Sequence, residues 1–139
     1  MGQVSMYLFE VNIFAVLLSA IGSFVLGGMW YSPLMFQQAW LEGAGLTELD
    51  LKSANHKMIF LGAFVFCLVA SVGVAVTVGK LPSVLDAMLY GMGIGVVFVS
   101  TSFGVSYLFE QRPLKLFLVN AGYHTLQFTL IGFIVGSFN

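Results

Sequence analysis

Asn120, His124 and Gln127 are polar residues inside an otherwise oily stretch, Leu116 to Gly136. On a helix turning about 100° per residue, this spacing puts all three within about 60° of one another. A polar stripe of this kind is costly in lipid and must face protein or water. His124 is the one side chain beyond Lys115 that titrates near neutral pH. Two chemistries fit. In one, a hydrated imidazole with a pKa of about 6.5 relays protons or gates a path. In the other, a neutral His124 and its two amide neighbours donate hydrogen bonds to adjacent helices, each worth about 0.6 kcal/mol. The second is favoured because a transporter generally pairs one intramembrane charge with another, and no acid lies inside any of the apolar runs.

The residues around this stripe are set by depth. A helix rises about 1.5 Å per residue. Counted from the ends of their helices, Ser23, Cys67, Ser100 to Ser102 and His124 all fall about 10–15 Å deep. The expected intramembrane polar site is therefore Asn120, His124, Gln127, Ser100, Ser102, Ser23 and Cys67. One His and one Cys are too few for the usual four metal ligands, although an oligomer could gather more. The acids lie only at helix ends, so no Ser–His–acid arrangement is available. The run Gly91-Met92-Gly93-Ile94-Gly95 lacks the strand and lysine of a phosphate cradle. No catalytic residue, metal or cofactor is expected.

The elements that must carry these residues follow from the distribution of charge. Of the 139 residues, 59% are hydrophobic and 8% charged, against about a quarter charged in a soluble domain. Such a chain cannot cover its own surface in water. The formal net charge of -1 gives no reason to expect a nucleic-acid partner. No charged residue lies between Glu10 and Glu42, Lys57 and Lys80, or Asp86 and Glu110. About 20 apolar residues span a bilayer, so helices are expected near 12–31, 58–78, 85–109 and 116–136. The runs do not alternate as barrel strands would. The expected fold is all-α: one domain over residues 1–139, an integral membrane bundle of four transmembrane helices.

The first loop carries Lys52 and Lys57 and the third Arg112 and Lys115, against Lys80 alone on the other side. Basic loops favour the cytoplasm, which places both termini outside. Glu10 stands where a signal peptide would be basic, so the N-terminus reads as retained.

In the first loop, Ser32 suits an N-cap and Pro33 the first position of a short interfacial helix, within a segment 33–56. Trp30, Tyr31 and Trp40 are amphipathic rings expected to anchor at headgroup level. Gly43 and Gly45 should stop this helix. Thr47 with Glu48 and Asp50 marks another start, which reads as running through His56 into the second crossing.

The stretch Leu26-Gly27-Gly28-Met29-Trp30-Tyr31-Ser32-Pro33-Leu34-Met35-Phe36, followed by Ala39-Trp40, Gly45-Leu46-Thr47-Glu48 and Asp50-Leu51-Lys52, resembles the opening of the bacterial family called domain of unknown function 1761. Asn120-Ala121-Gly122-Tyr123-His124, with Gly132 beyond, resembles its last helix. The resemblance touches both ends and leaves the middle helices uncovered. It implies a small four-helix inner-membrane protein and lends no activity.

Membrane helices pack through small residues. At regular helical spacing Gly91, Gly95, Ser102 and Ser106 share one face of the third crossing, and Gly93, Ser100 and Gly104 nearly the opposite one. Neighbours are therefore expected on both sides, and a second copy of the chain could supply one of them. Gly132 with Gly136, and Ser19 with Ser23, form small-xxx-small pairs that would suit a dimer face. The functional expectation is a non-enzymatic membrane protein whose partners are the lipid bilayer and either copies of itself or other membrane subunits. The alternative is a small channel or proton-linked transporter built around His124.

Overall fold

The computed structural model describes residue 2, residues 10–78 and residues 80–138. The expectation of a retained N-terminus therefore falls almost entirely outside the described residues. Among the described residues the chain is helical, with no strand.

The first crossing, α1, runs Ile13–Trp30, and the Asn12 side chain caps it by accepting from the amides of Phe14 and Ala15. Residues 31–36 form turns, not the helix expected to start at Pro33. The short helix α2 begins later, at Gln37–Ala44, and ends on Gly45, whose φ of 72° is the left-handed stop that glycine supplies. Helix α3, Glu48–Ser53, opens with a capping box between Thr47 and Asp50. It does not continue into the second crossing. Ala54 is extended, and Asn55 restarts the chain by accepting from the Met58 amide. The second crossing is α4, His56–Val78.

The third crossing has three parts. Helix α5 is Val84–Gly93, a π-helical segment covers Ile94–Ser100, and α6 is Thr101–Phe109. The fourth crossing, α7, is Leu114–Ser137. Four helices are thus long and apolar enough to cross a membrane: Ile13–Trp30, His56–Val78, Val84–Phe109 and Leu114–Ser137.

Helix α7 is the hub. It packs against α1, α4, the third crossing and α2, whereas the third crossing meets α4 only lightly. The apolar core is Ala15, Val16, Val74, Ala75, Val78, Ala87, Ile131 and Val135. All of these lie toward the side of the bundle that holds Ile13 and Ser137. On the same side α5 and α7 touch through backbone. A methyl at Gly91 would strike the Phe128 carbonyl, and one at Gly132 would strike the Ala87 carbonyl.

The π segment changes which residues share a face. Its wider turn takes up extra residues per turn and rotates everything beyond it. Gly91, Gly95, Ser100 and Gly104 consequently all look toward α7: a methyl at Gly95 would meet Thr125, one at Gly104 would meet Phe117, and Ser100 sits opposite Thr125. The regular-helix expectation had placed Ser100 and Gly104 opposite Gly91. Gly93 has nothing near it, and Ser102 is exposed. Among the described residues the third crossing therefore has its main neighbour within the chain on one face, that of α7. Both small-residue pairs read as dimer faces lie inside the chain. Gly132 and Gly136 receive α5, and Ser19 and Ser23 are fully buried.

Candidate functional site

The polar layer lies in the loop-side half of the bundle and is organised by α7. Asn120 bridges two helices. Its Oδ1 accepts from the Tyr31 hydroxyl at 2.5 Å, and its Nδ2 donates to the Tyr107 hydroxyl at 2.6 Å. Tyr31 closes α1 and Tyr107 belongs to α6, so one amide ties three of the four crossings together. Trp30 adds a second link, donating from Nε1 to the Val119 carbonyl at 2.9 Å. Its ring lies over Gly122, where a methyl would come within 3.0 Å of the indole. Phe36 packs on Trp30 at 4.5 Å between centroids, and the edges of Trp40 and Tyr123 meet Tyr31 at 5.4 and 5.6 Å. The rings expected to reach for headgroups are thus held by protein. Pro33 is exposed in the turn beyond them.

One turn deeper, His124 Nδ1 lies 2.8 Å from Gln127 Oε1. An amide oxygen can only accept, so the proton of this bond sits on Nδ1. Gln127, which is buried, passes the contact on by donating from Nε2 to Cys67 Sγ at 3.8 Å. From α7, the Tyr123 hydroxyl also donates to the Ser23 carbonyl at 2.9 Å. Side-chain hydrogen bonds from α7 thus reach α4 through Gln127 and α1 through Tyr123. Two rings pack on the imidazole: Phe103 stacks on it at 5.1 Å with 16° between planes, and Tyr123 tilts against it at 4.8 Å.

The seven residues expected to form one site divide. Gln127, His124 and Cys67 come together. Asn120 belongs to a separate group with Tyr31 and Tyr107. Ser23 contributes its backbone carbonyl to the chain of contacts. Ser100 donates to the Gly95 carbonyl within the π turn at 2.7 Å and lies 3.5 Å from Thr125 Oγ1. Ser102 donates to the Phe98 carbonyl on the outer surface and has no part in the layer. Tyr107, Tyr123 and Phe103 were missed. A tyrosine near the end of an apolar run reads as an interfacial anchor, yet Tyr123 directly precedes His124 and lies three residues beyond Asn120, a spacing that puts it on the same stretch of helix surface.

Charge is confined to the two membrane faces. On the loop side Lys115 pairs with Glu42 at 2.6 Å, Arg112 with Glu110 at 3.4 Å, and Arg112 also reaches the Ala44 carbonyl. These bonds seat α2 against the start of α7, where a methyl at Gly43 would strike Leu116. The Lys115 hydrogen bond, followed by that of Gln38, holds the Glu42 carboxyl below its ordinary value. Bonds from the Thr47 amide and hydroxyl do the same for Asp50. On the opposite side Lys80 pairs with Glu10 at 2.8 Å.

Among the described residues no three His, Cys, Asp or Glu side chains gather as a metal would need. The arrangement can hold helices together through hydrogen bonds and carry a proton at one imidazole. It does not place a base beside a hydroxyl nucleophile with an acid behind it.

A family model described as Protein of unknown function (DUF1761) matches residues 14–136. No curated protein and no solved structure matches the chain. The match runs from the first turns of α1 to the last turn of α7 and takes in the middle crossings that the motif resemblance left uncovered. The chain belongs to the DUF1761 family, and its four apolar helices make it a small multi-pass membrane protein.

Proposed function

We propose that this chain is a non-enzymatic integral membrane protein that acts through its outer helix faces, associating with copies of itself or serving as an accessory subunit of a larger membrane assembly. The observation that carries this reading is on α4. Gly62 and Gly73 both have open space where a side chain would stand. Eleven residues apart, they return to the same helix face within about 20°, with Phe66 and Val69 exposed between them. Small residues admit close backbone approach from another helix, and no described residue of the chain stands against either glycine. The basic first and third loops support a cytoplasmic position for that side, with both termini outside and the inner membrane of a bacterium as the setting. Extraction in mild detergent, followed by sizing and identification of the subunits, tests the proposal. A multimer or hetero-complex that dissociates in a Gly62→Leu, Gly73→Leu variant is expected. A monomer extracted alone from native membrane overturns it.

A second reading, a channel or proton-linked transporter around His124, has one observation in its favour. His124 Nδ1 is engaged by Gln127, but Nε2 has no hydrogen-bond partner among the described residues. Proton or solute flux into liposomes that His124→Ala abolishes would establish this reading in place of the first.

A further inference from the structure

Hydroxyls on membrane helices commonly bond back to the carbonyl one turn earlier. Here Ser71, Thr77, Thr101, Ser102, Thr129 and Ser137 all do so. Ser19 and Ser23 do not. Both are fully buried, and neither Oγ bonds to any protein group among the described residues. A buried hydroxyl without a partner is costly, and a bond back along the helix is the usual way to relieve it. Two such hydroxyls, one turn apart on the same face, call for a ligand between the helices.

Polar groups of α4 and α7 lie at the same level of the bundle. Phe24 packs edge-on against Phe60 and Phe64 at 6.0 Å. Because α1 and α4 run antiparallel, a turn further along α1 brings Ser19 to the level of Cys67. Gln127 reaches Cys67 from α7, and Tyr123 reaches the Ser23 carbonyl. Ser71, also fully buried, donates to the Cys67 carbonyl and keeps its lone pairs free to accept. Side chains at i and i+4 stand about 5–6 Å apart. Two hydroxyl–water bonds of about 2.8 Å each cover that distance.

We propose that the seam between α1, α4 and α7 is a binding site for water, in which one or two molecules bridge the Ser19 and Ser23 hydroxyls and extend the bonding to the Cys67, Ser71 and Gln127 groups. A buried water typically makes about three hydrogen bonds, and this seam supplies that number from three helices. The site meets the His124 imidazole through Gln127 and does not depend on either functional reading above.

Radiolytic hydroxyl-radical footprinting of the intact protein in nanodiscs tests it, because bound water labels the side chains beside it even where bulk solvent has no access. Strong labelling of Cys67 and Tyr123 is expected, falling several-fold in Ser19→Ala, Ser23→Ala, while exposed Met35 in the first loop keeps its labelling. The single variants, checked for an unchanged thermal midpoint, guard against a folding defect. Labelling of Cys67 and Tyr123 no greater than that of core Ile131, or unchanged in the double variant, overturns the proposal. So does a high-resolution structure in lipid in which both hydroxyls turn back to the Ala15 and Ser19 carbonyls with no density between them.

Discussion

The two halves of the bundle are held together by different forces. In the half around Ile13 and Ser137, α5 and α7 meet backbone to backbone at Gly91 and Gly132, beside a core of Ile131, Val16, Val74 and Val78. In the loop-side half, the helices are joined in addition by side-chain hydrogen bonds through Asn120, Tyr31, Tyr107, Gln127 and Cys67. Lipid is as apolar as the core, so hydrophobic transfer does not drive helices together. Close dispersion contacts do this in the first half, and directional bonds do it in the second. The first arrangement is broken by added volume, and the second also by a missing partner.

Substitutions can break that contrast. The largest effect is expected from Gly132→Val, whose side chain meets the Ala87 carbonyl. Overpacking of this kind costs about 3 kcal/mol. Gly93→Val, on the open face of the same crossing as Gly91, should be near neutral. Unfolding in mixed micelles measures both, and equal destabilisation at the two glycines would contradict the packing described.

Inserting one alanine after Val97 comes next. The added residue would rotate α6 by about 100° and withdraw Tyr107 from Asn120 and Phe103 from His124. Removing that hydrogen bond and that ring stacking should cost about 2 kcal/mol together, and the near-ultraviolet circular dichroism of the ring cluster should fade. Asn120→Leu should cost about 1 kcal/mol, since it strips both tyrosines of their shared partner. Tyr107→Phe should cost about half of that.

The smallest effect concerns pH. Glu42 has a lower pKa in the folded protein than in the unfolded chain, because of Lys115 first and Gln38 second. Its contribution is therefore complete above the ordinary carboxylate value, about 4.3, and is lost as pH falls through the lowered folded value. The thermal midpoint of the native protein should exceed that of Lys115→Met at neutral pH, and the gap should close in acid. A gap that widened in acid would reverse the sign. Because the pair is exposed and salt-screened, the difference should be slight.

The four crossings were legible because charges punctuate the chain at Glu10, Glu42, Lys57, Lys80, Asp86, Glu110 and Lys115, and bilayer thickness converts the intervals into spans. The capping box at Thr47 was equally plain. The π turn was not. Nothing in Ile94 to Ser100 marks it, since no proline or charge interrupts the run. Without it, a uniform 100° per residue sends Ser100 and Gly104 to the wrong face. The polar layer was half readable. The stripe on α7 was visible, but its division into an Asn120 group and a Gln127 group depends on which neighbouring helix each side chain meets. Single-helix periodicity carries no such information.

Helix α7 is the least apolar of the four spans and also the most buried. In the order of synthesis it emerges after the other three. Until it arrives, the Trp30 indole, the Gln127 side of Cys67 and Gly91 lack their partners, so the third crossing, which meets α4 only lightly, waits in the bilayer beside the α1–α4 pair. Biogenesis should thus be nearly all-or-none, with the decisive step after translation of the final segment and quality-control proteases acting chiefly on nascent molecules that stall before it.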